Sequence, residues 1–553
     1  MSADRPIVAA AVGAALVRAG IDTAFGVVGS GNFDVTNAMV AAGARFVAAR
    51  HETGAATMAD AYARMSAAGV AAVTLHQGCG LTNALTGMTE AAKSRTPLVV
   101  VTAEATQPRS NFFVDQPALA SAVGAVPMRV DSAEEAPRKA ADAVATAVQQ
   151  RRTVLLNLPL DVQALPAADP ITPASLARPL PPREAPADPD DVERLVAALR
   201  TARRPVFVAG RGARGPGCRA ALELLADRCG ALLATSAVAK GLFAGNPWSL
   251  DVSGGFASPL AAELIAGADL VVGWGCTLNM WTMRHGRLIA PGATVVQVDL
   301  DDDALGAQRE LTFGVRGDVV EVARATAAEL GHGRAGYRTP DRRAAIAARV
   351  RWRDVEFEPA VEPGRIDPRA LTIALDDLLP AERILSVDSG NFMGYPSMFL
   401  DVPDEFGFCF TQAFQCVGLG LATAIGAALA RPDRLPVAAL GDGGLLMGAA
   451  ELETVVRLGL PMVVIVYDDA AYGAEVHHFG PHGAPLDAVR FPDTDLAAAA
   501  RGFGFDGVTV RSPEDLAGVA AWVDGPRTAP LLIDAKVTRN QPSWWLEEAF
   551  RGH

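Results

Sequence analysis

The run Leu435 to Gly473, LPVAALGDGGLLMGAAELETVVRLGLPMVVIVYDDAAYG, constrains this chain more than any other stretch. It reads as a strand (Pro436 to Leu440), a glycine-rich turn, a helix (about Leu445 to Leu458) and a second strand (Met462 to Tyr467). Such a βαβ unit joins parallel strands through a right-handed crossover. Ligands of such sheets bind outside the carboxyl ends of the strands. Both ends are acidic here: Asp442 follows the first strand, and Asp468 and Asp469 follow the second. Gly441, Gly443 and Gly444 allow close backbone approach, and Gly444 is expected to open a helix whose N-terminus favours an anion. Carboxylates beside a phosphate repel it unless a hard cation, most often Mg²⁺, stands between them.

The rest of the chain repeats the same alternation. TAFGVVG, GVAAVTLH and PLVVVTAE read as buried strands, with the helices ETGAATMADAYARM and LTNALTGMTEAAKS between them. This predicts an α/β protein built of doubly wound parallel sheets. At 553 residues the chain is too long for one core. Two stretches, roughly 166–191 (proline-rich) and 331–364 (charge-rich), read as surface linkers. They divide the chain into 1–165, 190–330 and 365–540.

These motifs resemble the thiamine-diphosphate (ThDP) dependent 2-oxo-acid decarboxylase/carboligase family, whose members include acetolactate synthases and benzoylformate decarboxylase. The resemblance covers essentially the whole chain, as a pyrimidine-binding, a central and a diphosphate-binding domain. It implies Asp442 and Asp469, 27 residues apart, as Mg²⁺ ligands with the backbone carbonyl of Ala471, and Tyr472-Gly473 as the motif's continuation. The family usually has two asparagines where this chain has Asp468 and Asp469. In HETGAATMADAYAR the resemblance makes Glu52 the activating acid, which hydrogen-bonds the cofactor's aminopyrimidine and promotes loss of the thiazolium C2 proton. VDSGNFMGYP resembles the stretch adding further diphosphate contacts, here Gly390, Asn391 and Phe392. In TQAFQCVGLGLATAIGAALA, Val417 falls where the family carries an apolar residue under the bent cofactor, usually Met or Leu. Asn83 matches an asparagine near the pyrimidine ring. Family active sites form between subunits, so a homodimer or homotetramer is implied.

The reaction is less constrained. LHQGCGLTNAL is similar to the benzoylformate decarboxylase stretch that supplies a histidine, which makes His76 a candidate proton shuttle. His477 and His478, with Gln116 and Phe112, are candidates for the substrate pocket. The expectation is decarboxylation of a 2-oxo acid with carboligation to a second carbonyl, as in acetolactate synthase. The alternatives are aldehyde release and a non-catalytic ThDP-binding protein. RPVFVAGRGARG fits a dinucleotide fingerprint through Gly210, Gly212 and Gly215, but the next strand, ALLATS, ends without the acidic residue that would hold a ribose. Bound NAD is therefore not expected. Arg284 and Asp299 leave room for FAD without requiring it.

The net charge of −13 argues against a nucleic-acid partner. The six cysteines form no CxxC pair, so neither a zinc site nor a disulfide framework is expected. No run of eighteen apolar residues suggests a membrane span, and the N-terminus does not read as a signal peptide. The expected location is cytoplasmic.

Overall fold

The computed structural model describes residues 6–168, 187–331 and 333–550. Its strands form three six-stranded sheets, and every pairing between these strands is parallel. The first sheet comprises β1 (Thr23–Gly26), β2 (Arg45–Ala48), β3 (Ala71–Leu75), β4 (Leu98–Glu104), β5 (Val126–Arg129) and β6 (Thr153–Pro159), in the order β2-β1-β3-β4-β6-β5. The second comprises β7 (Pro205–Ala209), β8 (Leu232–Thr235), β9 (Ser249–Val252), β10 (Leu270–Trp274), β11 (Thr294–Asp299) and β12 (Phe313–Arg316), ordered β12-β11-β10-β7-β8-β9. The third comprises β13 (Arg383–Val387), β14 (Phe408–Cys409), β15 (Leu435–Gly441), β16 (Val463–Asp468), β17 (Asp506–Val510) and β18 (Leu531–Lys536), ordered β14-β13-β15-β16-β18-β17. The first and third sheets thus share one strand order. The second has the order of dinucleotide-binding folds.

The central strands are apolar on both faces because helices cover both. β3, β10 and β16 are buried along their whole length. The helices Glu52–Met65 and Cys79–Lys93 begin within two residues of the expected positions. Glu52–Met65 is buried on almost every side, since it lies between the first sheet and the helix Gly420–Ala430 of the third. Small residues make that approach close. A Cβ at Gly426 would come within 2.1 Å of the Met58 carbonyl oxygen. The same helix carries Arg64, paired with Asp60 at 2.5 Å and Glu90 at 2.9 Å. Glu90 in turn accepts from the backbone of Phe414, and Arg64 donates to the Phe410 carbonyl. The first and third units are therefore joined by an ion-paired seam as well as by apolar packing.

Two expectations need correction. The stretch 331–364 is not wholly a linker. Pro340–Arg349 is helical, started by the Thr339 side chain accepting from Arg342 N, and Ile346 is buried among side chains of the second unit. The crossover of the βαβ unit is not one helix from Leu445 to Leu458. It starts at Asp442 and breaks into Asp442–Met447 and Glu451–Arg457. The break falls at Gly448, whose missing Cβ would stand 3.1 Å from the Gly418 carbonyl. Much of the first expected linker, residues 169–186, lies outside the described residues.

Candidate active site

Strand β15 ends at Gly441 and β16 at Asp468, side by side in the sheet, so the turns that follow them converge. Between them opens a pocket of about 280 Å³. It gathers Gly390, Asn391, Phe392, Val417, Gly441, Asp442, Gly443, Gly444, Asp469, Ala471, Tyr472 and Gly473, that is, all the residues singled out for the diphosphate half. The glycines are where side chains would collide. A Cβ at Gly444 would lie 2.3 Å from Asp388 Oδ2, one at Gly443 would lie 2.9 Å from the Tyr472 ring, and one at Gly473 would lie 2.2 Å from Asp469 Oδ2.

The electrostatics of the pocket are strained. Burial, then the nearby Asp468 charge, pushes the Asp442 carboxyl up to about 7. Burial and the Asp442 charge push Asp469 well above the usual carboxylate range. Asp469 is half-buried and faces the pocket. Two repelling carboxylates facing one space, with glycine backbone around them, suit an oxygen-loving cation bound to an anion. Among the described residues no three His, Cys, Asp or Glu side chains come together as a metal centre. The donor set is therefore two carboxylates and whatever backbone and ligand oxygens complete it.

Asp468 does a different job from Asp469. It is 1 % exposed and paired with the buried Lys536, which also reaches Asp534 at 3.1 Å and the Thr494 carbonyl at 2.6 Å. The charge introduced at 468 is thus answered inside the protein, and the charge at 469 is not. Sequence reading missed Lys536, which lies on β18, since nothing in the pattern joins it to the motif.

Asp388 was also missed. It follows β13, is fully buried, and accepts from Ser389 N at 2.9 Å and Gly418 N at 2.9 Å. Burial pushes its carboxyl up to about 6, against these backbone donors. It fixes the turn that carries Val417, where Gln415 and Gly418 both have positive φ. Asn391 is held from the C-terminal side: its Oδ1 accepts from Ser543 N at 3.0 Å and its carbonyl from Trp545 Nε1 at 3.0 Å. Trp545 and Leu546 form part of the pocket wall.

A second cluster forms in the first unit. Glu52 begins its helix after His51, whose extended backbone (φ −144°, ψ 146°) and ring Nδ1, accepting from Thr53 N at 3.1 Å, cap it. Asn83 Nδ2 donates to Glu52 Oε2 at 3.0 Å. A Cβ at Gly80 would lie 3.3 Å from His76 Cβ and 3.7 Å from Glu52 Oε1, so these groups share one patch. His76 Nδ1 lies 3.0 Å from the Gln77 carbonyl, and its ring meets Phe112 edge-on at 5.0 Å. Gly29 lies directly against the His76 ring, in a loop fixed by Asn32 Oδ1 accepting from Gly29 N at 2.8 Å. The glycine-rich VVGSGN after β1 was the available sign of that loop. Within one chain this cluster does not line the pocket of the third unit.

Some candidates fall elsewhere. Gln116 is not a pocket residue. It is 1 % exposed, accepts from Gly78 N at 3.0 Å, and donates to the Ala103 carbonyl and to Asn157 Oδ1, so it latches the 77–78 turn. His477 and His478 lie on the helix Gly473–Phe479 beyond the last residues of that helix that line the pocket. Burial lowers the pKa of His477. Arg284 turns to the carbonyls of Gly254 and Ala257, at 2.8 Å and 2.7 Å. Asp299 instead faces a larger cavity of about 760 Å³, together with Gly210, Gly212, Arg211 and Arg214. Gly215 does not open a helix; Gly217 caps the one that starts at Cys218. Burial, with the neighbouring Arg64 charge, pulls Arg211 down to about 9.

Comparison with known proteins bears on these clusters. The central-domain family of thiamine pyrophosphate enzymes matches residues 192–326, the N-terminal TPP binding domain residues 7–123, and the C-terminal TPP binding domain residues 388–535. The sulfoacetaldehyde acetyltransferase of Rhodobacter capsulatus is 30% identical, over 91% of this chain and 89% of its own. The "probable 2-ketoarginine decarboxylase" of Pseudomonas aeruginosa is 30% identical over the same shares. The acetolactate synthase large subunit of Parasynechococcus marenigrum is 28% identical, over 96% and 88%.

Proposed function

Because the chain belongs to the thiamine pyrophosphate enzyme family, we propose that it decarboxylates a 2-oxo acid and transfers the remaining acyl unit to a second carbonyl, using ThDP and Mg²⁺. The observation that carries this reading is the pocket after β15 and β16, where Asp442 and Asp469 face one space ringed by glycines. Those two carboxylates and the Ala471 carbonyl would hold the metal. Gly390, Asn391, Phe392, Gly441, Gly443, Gly444, Tyr472 and Gly473 would receive the diphosphate, and Val417 would support the bend between the two rings. When bound, the cofactor supplies a nucleophilic carbon and an electron sink.

Glu52 would share a proton with the aminopyrimidine, and Asn83 would hold the Glu52 carboxylate in register. Since Glu52 is absent from the pocket walls of its own chain, the reading includes a homodimer or homotetramer that joins the Glu52 cluster of one chain to the diphosphate pocket of another. A cytoplasmic location and the division at 1–165, 190–330 and 365–540 belong to the same proposal. The six unpaired cysteines and the spans of the three family matches support them. Decarboxylation with acyl transfer is redox-neutral, so FAD is not required, and the cavity at Asp299 is where such a nucleotide would sit.

A second reading, release of an aldehyde, is favoured by His76. With Nδ1 donating to the Gln77 carbonyl, the tautomer leaves Nε2 as the basic nitrogen, on a residue whose Cβ shares a patch with Glu52. Protonation of the acyl unit by such a group ends the reaction as a simple decarboxylation. The test is to incubate the enzyme with pyruvate and with benzoylformate, each with ThDP and Mg²⁺, and identify the carbon products. Ligated products support the first reading and aldehyde alone the second. Absence of both removes the proposal.

A further inference from the structure

Glu451 is the feature outside the pocket that bears most directly on Glu52. It lies at the start of the helix Glu451–Arg457 in the third unit, is 2 % exposed, and is 399 residues away in the chain. Its Oε1 accepts from both Arg50 N, at 3.0 Å, and His51 N, at 3.1 Å. Its Oε2 accepts from Thr454 Oγ1 at 2.7 Å. The same short helix grips the preceding residues again: Arg457 donates to the Ala48 carbonyl at 2.5 Å, and Arg50 pairs with Glu453 at 2.6 Å.

Gly54 shows how closely the two units are fitted. A Cβ there would stand 2.5 Å from Glu451 Oε1, so the glycine in HETGAA is the space that this carboxylate fills. On the opposite side Asn83 holds the Glu52 side chain, and the Thr53 hydroxyl donates to the Asn83 carbonyl. Asn83 therefore fixes the Glu52 carboxylate and Glu451 fixes the backbone that carries it. A buried carboxylate costs several kcal/mol unless its oxygens are satisfied. Here Oε1 is satisfied by the two amides immediately before Glu52 and Oε2 by the Thr454 hydroxyl.

We propose that Glu451 is a positioning residue for Glu52. It acts as the acceptor that sets where the helix Glu52–Met65 begins, and so where the Glu52 carboxylate stands. This rests on the reading of Glu52 as the activating acid. Positioning of a reacting group to within an ångström is worth about 10²-fold in rate.

The experiment compares Glu451→Ala, Glu451→Gln, Gly54→Ala and Glu52→Gln by three readouts. These are the rate of hydrogen–deuterium exchange at C2 of bound ThDP, the Kd for ThDP with Mg²⁺, and amide exchange of the 48–54 segment in cofactor-free protein. Glu451→Ala is expected to slow C2 exchange about tenfold or more while Kd stays within about threefold. It should also deprotect the Arg50 and His51 amides. Gly54→Ala should do the same, since it displaces the carboxylate without removing a charge. Glu451→Gln should restore C2 exchange, because its carbonyl oxygen can accept both amides and its NH₂ can face the Thr454 hydroxyl. C2 exchange unchanged in Glu451→Ala overturns the inference while leaving Glu52 in place. So does a rise in Kd and a fall in melting temperature in step with the loss of exchange, which marks a fold residue only. A Gln variant as impaired as the Ala variant overturns it too. If Glu52→Gln leaves C2 exchange at the parent rate, the reading of Glu52 itself fails and this inference goes with it.

Discussion

Replacing Asp442 by Asn separates the cost of the pocket from its use. The Asp442 carboxyl is pushed from 3.8 up to about 7, first by burial and then by the Asp468 charge. A rise of about three units at 1.36 kcal/mol per unit is on the order of 4 kcal/mol. The sign follows from linkage. An acid whose folded-state pKa is raised binds more protons folded than unfolded, so its burden is absent below about pH 4, grows as pH rises, and is complete above about pH 7. In cofactor-free protein, Asp442→Asn should therefore match the parent near pH 4 and exceed it at pH 8. With relaxation the gain is at most about 4 kcal/mol, or on the order of 10 °C in the melting temperature of a unit this size. Cofactor should narrow that gap. At a hundredfold excess over Kd, ThDP with Mg²⁺ stabilises the parent by about 2.7 kcal/mol, and the variant, whose neutral amide is a weaker ligand than a carboxylate, should gain less. The assay is thermal melting from pH 4 to pH 8.5, with and without ThDP and Mg²⁺. A variant that melts at or below the parent at pH 8 without cofactor would refute the electrostatic argument. A variant whose Mg²⁺-dependent shift equals the parent's would refute the metal assignment.

Other expectations follow from the same geometry. Glu52→Gln should bind ThDP with parent affinity by calorimetry yet lose about 10²- to 10⁴-fold in turnover. Loss of binding together with turnover would make Glu52 a residue of the fold. Mixing Glu52→Gln with Asp442→Ala, each inactive alone, should restore about a quarter of parent activity through hybrid dimers with one intact shared site. No recovery after subunit exchange would argue against sites shared between chains. His76→Ala should shift product from aldehyde towards ligated carbon, read by chromatography, and an unchanged ratio would remove His76 from proton transfer. Gly426→Ala should lower the urea midpoint by the equivalent of about 1–3 kcal/mol, since its Cβ meets the Met58 carbonyl. An unchanged midpoint would mean that the seam between the first and third units can widen freely.

The parts of this account that were legible in the sequence were those with short-range causes. Asp442, Asp469 and the glycines lie within one βαβ unit, and the carboxyl ends of neighbouring parallel strands must face the same way. Glu52 was singled out because HETGAATMADAYAR resembles the family's motif, and the structure places it, as expected, at the start of a helix. What escaped depends on contacts between distant segments. Lys536 answers Asp468 from a strand 68 residues on, and Glu451 meets Arg50 across 401. Gln116 was a pocket candidate because it lies in a loop expected near the site, but its amide completes the 77–78 turn. The helix Pro340–Arg349 was hidden by its charge density: Ile346 is its one residue in the second unit's core, too little to register as periodicity. The break at Gly448 lies beside the Gly418 carbonyl, a neighbour 30 residues back that the local pattern does not show.

The most direct test of the central claim is the release of CO₂ from a panel of 2-oxo acids, including pyruvate and benzoylformate, by the purified full chain. It is measured with both ThDP and Mg²⁺, with either alone, and with neither. The account predicts release from at least one acid only when both are present. Release that is indifferent to ThDP, or none from any acid by enzyme that has bound ThDP and Mg²⁺, would contradict it.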